Sequence, residues 1–347
     1  MKLESFAQAR GVSGNEQEVR TVILEAVQAN ISEHWVDALG NLICHKQSRE
    51  GGDRLKVMLA AHMDEIGLIV TAINSDGTLS FDKIGGIDDR VLLSKQVLVG
   101  EKAVPGVIGY APIHLIPPAE RAKAPDMSRA VIDIGATDRG GAEALVSLGD
   151  YVSFVGTWTE LDPTGTRTVV SKALDDRAGC AVLAELLTDD YALDLYGVFT
   201  TQEEVGMRGA GVAARRIQPD VAIVLEGTIC DDLPKPPEED LSPVTRLGGG
   251  PAITFMDRSF VADRRLVDLC LREVRALGIA HQFKSAVAGG TDAGAIHLTG
   301  EGVPAVTIAV PVRYIHAPIS MLSLDDFDAT VQLVRAVLHA LEKGLAS

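Results

Sequence analysis

Three short runs constrain the fold more than anything else in the chain. Leu55–Ala61 (LKVMLAA), Leu195–Thr201 (LYGVFTT) and Val221–Leu225 (VAIVL) are apolar almost without interruption. A strand with one wet face alternates apolar and polar residues. A continuous run instead needs cover on both faces, as the inner strands of a helix-flanked sheet have. The segments around these runs read as helices: Asp175 to Leu187, Val205 to Arg216, and an amphipathic C-terminal stretch from Ser323 to Leu345. Strand and helix alternate, which predicts an α/β fold with a central sheet sandwiched by helices. Ser13–Ile31 is expected to be the first helix, because Ser13 and Glu16 stand at capping-box spacing ahead of Val19, Ile23, Leu24 and Val27.

From residue 70 to 164 the texture changes. Short β-rich pieces (Gly67–Ala72, Val97–Val99, Val104–Ile108, Tyr151–Val155) are separated by Gly and Asp turns. This predicts a small β domain, 70–164, inserted into an α/β body formed by 1–69 and 165–347. At 347 residues the chain has room for two such units. Two proline-rich stretches, Pro112–Pro125 and Leu233–Pro243, read as loops.

Charge narrows the partners. With 32 Lys+Arg against 48 Asp+Glu the formal net charge is −16, which disfavours a nucleic-acid partner, since phosphate backbones are bound by basic stripes. Cys44, Cys180, Cys230 and Cys270 lie far apart, with no CxxC spacing, and read as reduced thiols. No signal-like apolar segment leads the sequence, and nowhere do about 18 apolar residues follow one another. The expectation is a cytoplasmic protein with no membrane partner.

The chemistry gathers where the apolar runs stop. His62 and Asp64 follow the first run in an HxD spacing, which lets an imidazole bind a metal through one nitrogen while a carboxylate fixes the other. Glu203 and Glu204 follow the second, and on an extended backbone neighbouring side chains diverge, leaving the two carboxylates free for different tasks. Glu226 closes the third, where a charge is costly unless paired or coordinating. Asp175 and Asp176 open a small-residue helix, a place that capping alone explains. His316 stands beside a turn stiffened by Pro318. Singly each is weak, but together they offer the imidazole and carboxylate mix that suits zinc, cobalt or manganese.

The pattern AHMDE, ALDDRAG, TTQEEVG, LEGT and YIHAP, with Gly11-Val-Ser-Gly14 near the start, resembles the M42-type dinuclear metallo-aminopeptidases, which assemble as tetrahedral dodecamers and also carry a glutamyl aminopeptidase or endoglucanase label. The resemblance covers nearly the whole chain. It implies a zinc-peptidase-like mixed sheet, a PDZ-like or small β-barrel insert that makes dimers, and a metal-dependent aminopeptidase acting on short or unfolded peptides. It further implies two divalent ions, Zn or Co and in some cases Mn: His62 and Glu226 on one, Glu204 and His316 on the other, and Asp175 bridging. Asp64 would orient His62, and Glu203 would be the general base for a water activated by both ions. A cis peptide between Asp175 and Asp176 is implied as well. Many relatives have Asp where this chain has Glu226, and the endoglucanase-labelled subgroup resembles it more closely there, so substrate preference does not transfer.

The loop Ala288–Gly294 (AGGTDAG) resembles a family loop near the active site. Gly290, Thr291 and Asp292 are the expected substrate contacts, with Asp292 placed to neutralise a peptide's ammonium. The insert offers no catalytic candidate of its own, so its expected task is assembly. Rival readings keep the same residues: a dinuclear deacylase or carboxypeptidase, or a non-catalytic peptide-binding assembly protein. A glycosidase is disfavoured, since it needs a carboxylate pair flanking the bond rather than a histidine-rich set, and no GxSxG elbow supports a serine hydrolase.

Overall fold

In the computed structural model of the chain, which describes residues 2–345 apart from 53, 120, 162–164 and 237–241, the three apolar runs lie side by side. Asp194–Thr200, Lys56–His62, Val221–Cys230 and Ala305–Arg313 form a parallel core in that order. Antiparallel strands extend both flanks, making an eleven-stranded mixed sheet among the described residues. The first run shows why it reads as continuous: Val57, Leu59 and Ala61 pack on one face, Met58 and Ala60 on the other. Helices Lys2–Gln8, Gln17–Val27, Leu174–Leu186, Arg264–Leu277 and Leu324–Leu341 cover the first face. Arg208–Ile217 and Ala293–Ile296 cover the second.

The β-rich region closes into a barrel whose strands run in the order Gly67–Ile73, Leu79–Ile84, Val131–Asp133, Val104–Gly109, Gln96–Val99 and Tyr151–Phe154. Leu68, Val70, Leu79, Val97, Ile132 and Val152 fill it, forming a core separate from that of the sheet. Together, mixed sheet and barrel match the architecture expected from the sequence. Pro112–Pro125 holds a short 3-10 turn, Ile113–Leu115. Residues 237–241 of the second loop lie outside the described residues.

The first helix differs from expectation. It runs Gln17–Val27 rather than from Ser13, and its N-cap residue Glu16 makes no side-chain capping bond. The capping-box pair is diverted: the Ser13 hydroxyl donates to Asp64 at 2.6 Å and the Glu16 carboxylate accepts from the Gly14 amide at 2.7 Å. A further helix, Lys2–Gln8, precedes it and buries Leu3 and Phe6. No helix among the described residues is long and apolar enough to cross a membrane.

Candidate active site

Thr200 and His62 close their strands side by side, and Glu226 lies level with them within the longer strand Val221–Cys230, opposite Ala309. The turns beyond these ends share one crevice, the place where open α/β sheets take ligands. A cavity of about 230 Å3 there is lined by His62, Asp175, Glu203, Glu226 and His316, with Gly290 and Thr291 on its wall.

His62 is the last residue of its strand and is buried. Its Nδ1 donates to the backbone carbonyl of Asp64 at 3.1 Å, with an Asp64 carboxylate oxygen at 3.5 Å. That leaves Nε2 facing Asp175 Oδ1 at 3.3 Å and Glu226 Oε2 at 3.6 Å. On the other side, His316 Nδ1 donates to the Gly86 carbonyl at 2.9 Å. Its Nε2 faces Asp175 Oδ2 at 3.6 Å and Glu204 Oε2 at 3.7 Å. The two oxygens of Asp175 thus look toward two separate pairs, His62 with Glu226 and His316 with Glu204. Each ring has its Nδ1 proton held by a carbonyl, so each aims its Nε2 inward.

Asp176 also lies near His62 and Glu226 and completes a possible ligand set by proximity. Its oxygens, however, accept from the His62 amide at 3.2 Å and the Gly179 amide at 2.8 Å, which makes it a brace behind the strand. Asp175 carries the inward carboxylate instead, and the peptide between the two residues is cis.

Asp64, fully buried, organises the glutamates. Its carboxylate accepts from the amides of Glu203 at 3.0 Å and Glu204 at 3.2 Å as well as from Ser13. Burial would raise its pKa, but His62, Ser13 and the Glu203 amide outweigh that and hold it below the usual carboxylate value. Left-handed backbone recurs where the site turns, at Ala173, Gln202 and His316 with φ of 55°, 57° and 59°. Non-glycine residues adopt that region mainly where the surrounding structure imposes it, as functional sites do.

The electrostatics are uncompensated. Glu203, Glu204 and Glu226 are all pushed well above the normal carboxylate pKa, first by burial and then by neighbouring carboxylates. His62 responds in the opposite sense: burial lowers its pKa, but Asp175, Asp64 and Glu226 together drive it well above its ordinary value. Glu226 Oε1 is buried with no hydrogen-bond partner. Such a cluster is short of positive charge even with His62 protonated, and its imidazole and carboxylate atoms are the donor set of a borderline divalent ion.

Of the expected substrate contacts, Gly290 and Thr291 line the cavity, whereas Asp292 does not reach it. Asp292 is fully buried; Oδ2 accepts the Thr200 hydroxyl at 2.5 Å and Oδ1 has no partner. Burial outweighs that hydrogen bond and raises its pKa to about 6. Two contributors lie outside the sequence reading. One is Lys284 on the cavity wall. The other is Gly86, which brings a carbonyl from the barrel region to His316, so the insert does touch the site. A Cβ added at Gly86 would sit 3.1 Å from His316 Nδ1, tighter than an ordinary contact, so a side chain here would press on the ring.

The profile of the M42 glutamyl aminopeptidases matches residues 40–333. The chain belongs to the M42 family. It is therefore a peptide hydrolase of the aminopeptidase type. Among relatives of this M42 chain, a putative aminopeptidase of Acetivibrio thermocellus is 39% identical over 334 residues, covering 96% of each chain. A lysyl aminopeptidase of Pyrococcus furiosus is 31% identical over 98% of this chain and 96% of its own length. A glutamyl aminopeptidase of Lactococcus lactis is 30% identical over the same shares, 98% and 96%. Among solved structures, a TET aminopeptidase from a marine sediment archaeon of the Thaumarchaeota superposes with a TM-score of 0.92 at 35% identity, over 99% of both chains. A TET peptidase of Pyrococcus horikoshii, which can assemble into a tetrahedron or a large octahedral shell, gives 0.85 at 33% identity over 97% of this chain and 98% of its own.

Proposed function

We propose that this M42 chain is a metal-dependent aminopeptidase that holds two divalent ions, zinc, cobalt or manganese, on the residues around Asp175. The observation that carries this reading is the division of the Asp175 carboxylate between two histidine–glutamate pairs. His62 and Glu226 would hold one ion, His316 and Glu204 the other, and Asp175 both. The orphaned Glu226 oxygen and the raised proton affinities of the cluster fit that assignment, since cations would remove both penalties.

When bound, the ions would make a water acidic enough to attack near neutral pH and would polarise the peptide carbonyl. The remaining work belongs to the chain. Glu203 lines the cavity and stands outside both histidine–glutamate pairs, which leaves its carboxylate for the proton transfer of a general base. It takes the proton of the attacking water and delivers it to the leaving amine. Asp64 keeps Glu203 and Glu204 in register by holding both amides, and through its own carbonyl it keeps the His62 ring turned inward. The acidic rim suits the free ammonium of a peptide N-terminus.

Larger-scale features of the reading rest on the relatives. We infer that the barrel region mediates dimers and that these build a dodecamer open to short or unfolded peptides, as the shells of the TET peptidases suggest. Four buried, unbridged thiols favour a reducing compartment such as the cytoplasm. The preferred N-terminal residue does not follow from the relatives, whose names include both lysyl and glutamyl aminopeptidases.

The test uses chelator-stripped protein with zinc, cobalt or manganese restored, assayed on aminoacyl anilides and their N-acetylated forms. Metal-dependent cleavage confined to free amines is expected. Cleavage of only the acetylated forms would move the protein to the deacylases, and silence with every metal would leave a peptide-binding role.

A further inference from the structure

We propose that Asn41 is a positioning residue for the reaction: by clamping both feet of the loop that carries Glu203 and Glu204, it fixes where the general base stands. The proposal rests on the aminopeptidase reading above and adds to it a residue outside the cavity wall.

Asn41 closes the turn between the antiparallel strands Glu33–Val36 and Leu42–Lys46. Asp37 stiffens that turn. Its Oδ1 accepts from the amides of Leu39, Gly40 and Asn41 at 2.9, 3.0 and 3.1 Å, and its Oδ2 accepts from Asn41 Nδ2 at 2.7 Å. The Asn41 side chain is fully buried and reaches beyond the turn as well. Nδ2 also donates to the Gly209 carbonyl at 3.0 Å, while Oδ1 accepts from the Thr201 amide at 2.9 Å and lies 3.2 Å from the Thr201 hydroxyl. A side-chain amide has two donor protons and one carbonyl oxygen, so every polar group of Asn41 is engaged by these three residues.

Thr201 and Gly209 are the two feet of one loop. Thr201 follows the strand Asp194–Thr200, Gly209 lies in the first turn of the helix Arg208–Ile217, and the Gly209 amide donates to the Thr201 carbonyl at 3.1 Å. Glu203 and Glu204 stand between them. The loop does not hold its shape cheaply: Gln202 and Met207 have φ of 57° and 53°, in the left-handed region that disfavours a side chain. Its feet meet so closely that a Cβ at Gly209 would fall 2.2 Å from Asn41 Oδ1 and 2.6 Å from the Thr201 carbonyl oxygen. Asp64 holds the middle of the loop through the Glu203 and Glu204 amides, and Asn41 spans its ends. Misplacing a reacting group by about 1 Å costs about 100-fold in rate, so a clamp this near Glu203 acts on turnover more than on binding.

The test is the split between kcat and KM. In metal-loaded Asn41→Ala and Asn41→Asp, kcat for the aminoacyl anilide that the wild type cleaves best is expected to fall about 10- to 100-fold, with KM within about threefold of wild type. Gly209→Ala presses on the same clamp from the other side and should give the same split. Combining Asn41→Asp with Asp37→Asn rebuilds the pair inside the turn and keeps an acceptor for the Thr201 amide, but sets a carboxylate oxygen against the Gly209 carbonyl. This swap should regain most of the thermal stability lost in Asn41→Asp and leave kcat low. Hydrogen exchange on metal-free protein gives a readout independent of turnover: amides 202–208 should exchange about tenfold faster in Asn41→Ala, while those of Asp194–Thr200 keep the wild-type rate.

A lowered Tm with wild-type kcat in the single variants, a swap that restores kcat together with stability, or loop amides exchanging at the wild-type rate would overturn the role of Asn41 and leave the aminopeptidase standing. No cleavage of any free-amine anilide by the wild type would remove the aminopeptidase reading, and the role of Asn41 with it.

Discussion

Asp64 shows how one residue can organise a site without facing the substrate. Its carboxylate meets the Ser13 hydroxyl and the amides of Glu203 and Glu204, and its carbonyl takes the His62 proton. Glu203 should therefore be separable from the ligands: Glu203→Gln is expected to keep wild-type metal content and lose turnover about 10³-fold, within the usual range for a general base. Metal analysis beside kcat checks both halves, and a near-normal rate would remove Glu203 from the mechanism. A second consequence concerns pH. Burial, offset only in part by the Gly14 amide and reinforced by Asp64, raises the Glu16 pKa from 4.5 to about 7. Between those values the folded chain keeps a proton that the unfolded chain has released. The contribution is thus full below the unfolded pKa and is lost as pH rises through the folded one. Glu16→Gln retains an acceptor but never ionises, so its stability relative to wild type should improve between pH 5 and pH 8 by up to about 3 kcal/mol. Thermal unfolding at the two values checks the sign, and a constant difference would contradict it. The histidines and carboxylates that the fold gathers could be singled out in the sequence because the residue types that suit a metal are few. Ser13 and Glu16 were misread because a hydroxyl and a carboxylate three residues apart fit a capping box equally well, and only the fold brings Asp64 within reach of Ser13.

Among the elements, the buried strands carried the sequence reading. Both faces of Lys56–His62 are covered, so its apolar run and the polar residues after it could be read directly. The helix Lys2–Gln8 escaped because it is too short to show a clear period. The barrel's part in the site escaped for another reason: Gly86 acts through a backbone carbonyl, which has no residue signature. That link can be tested. In Gly86→Val the added side chain presses on the His316 ring, whose Nδ1 lies 3.1 Å from the new Cβ position. Metal affinity should fall about 10- to 100-fold, as it does when the partner of a ligating histidine is disturbed. A metal titration giving the wild-type affinity would mean that the barrel region plays no part in the site.

At the scale of the molecule, the proposed division of labour has the sheet carry most of the site and the barrel region join copies of the chain. Sedimentation should give a mass near twelve times the 36.8 kDa of one chain, and a monomer at working concentration would contradict the assembly. The central claim is narrower: Asp175 serves two cation positions at once. Metal content per chain, measured after dialysis with zinc or cobalt for the wild type, His62→Ala and His316→Ala, tests it most directly. The account requires about two ions in the wild type and the loss of one, from a different position, in each variant. One ion in the wild type, or two retained in both variants, would contradict it.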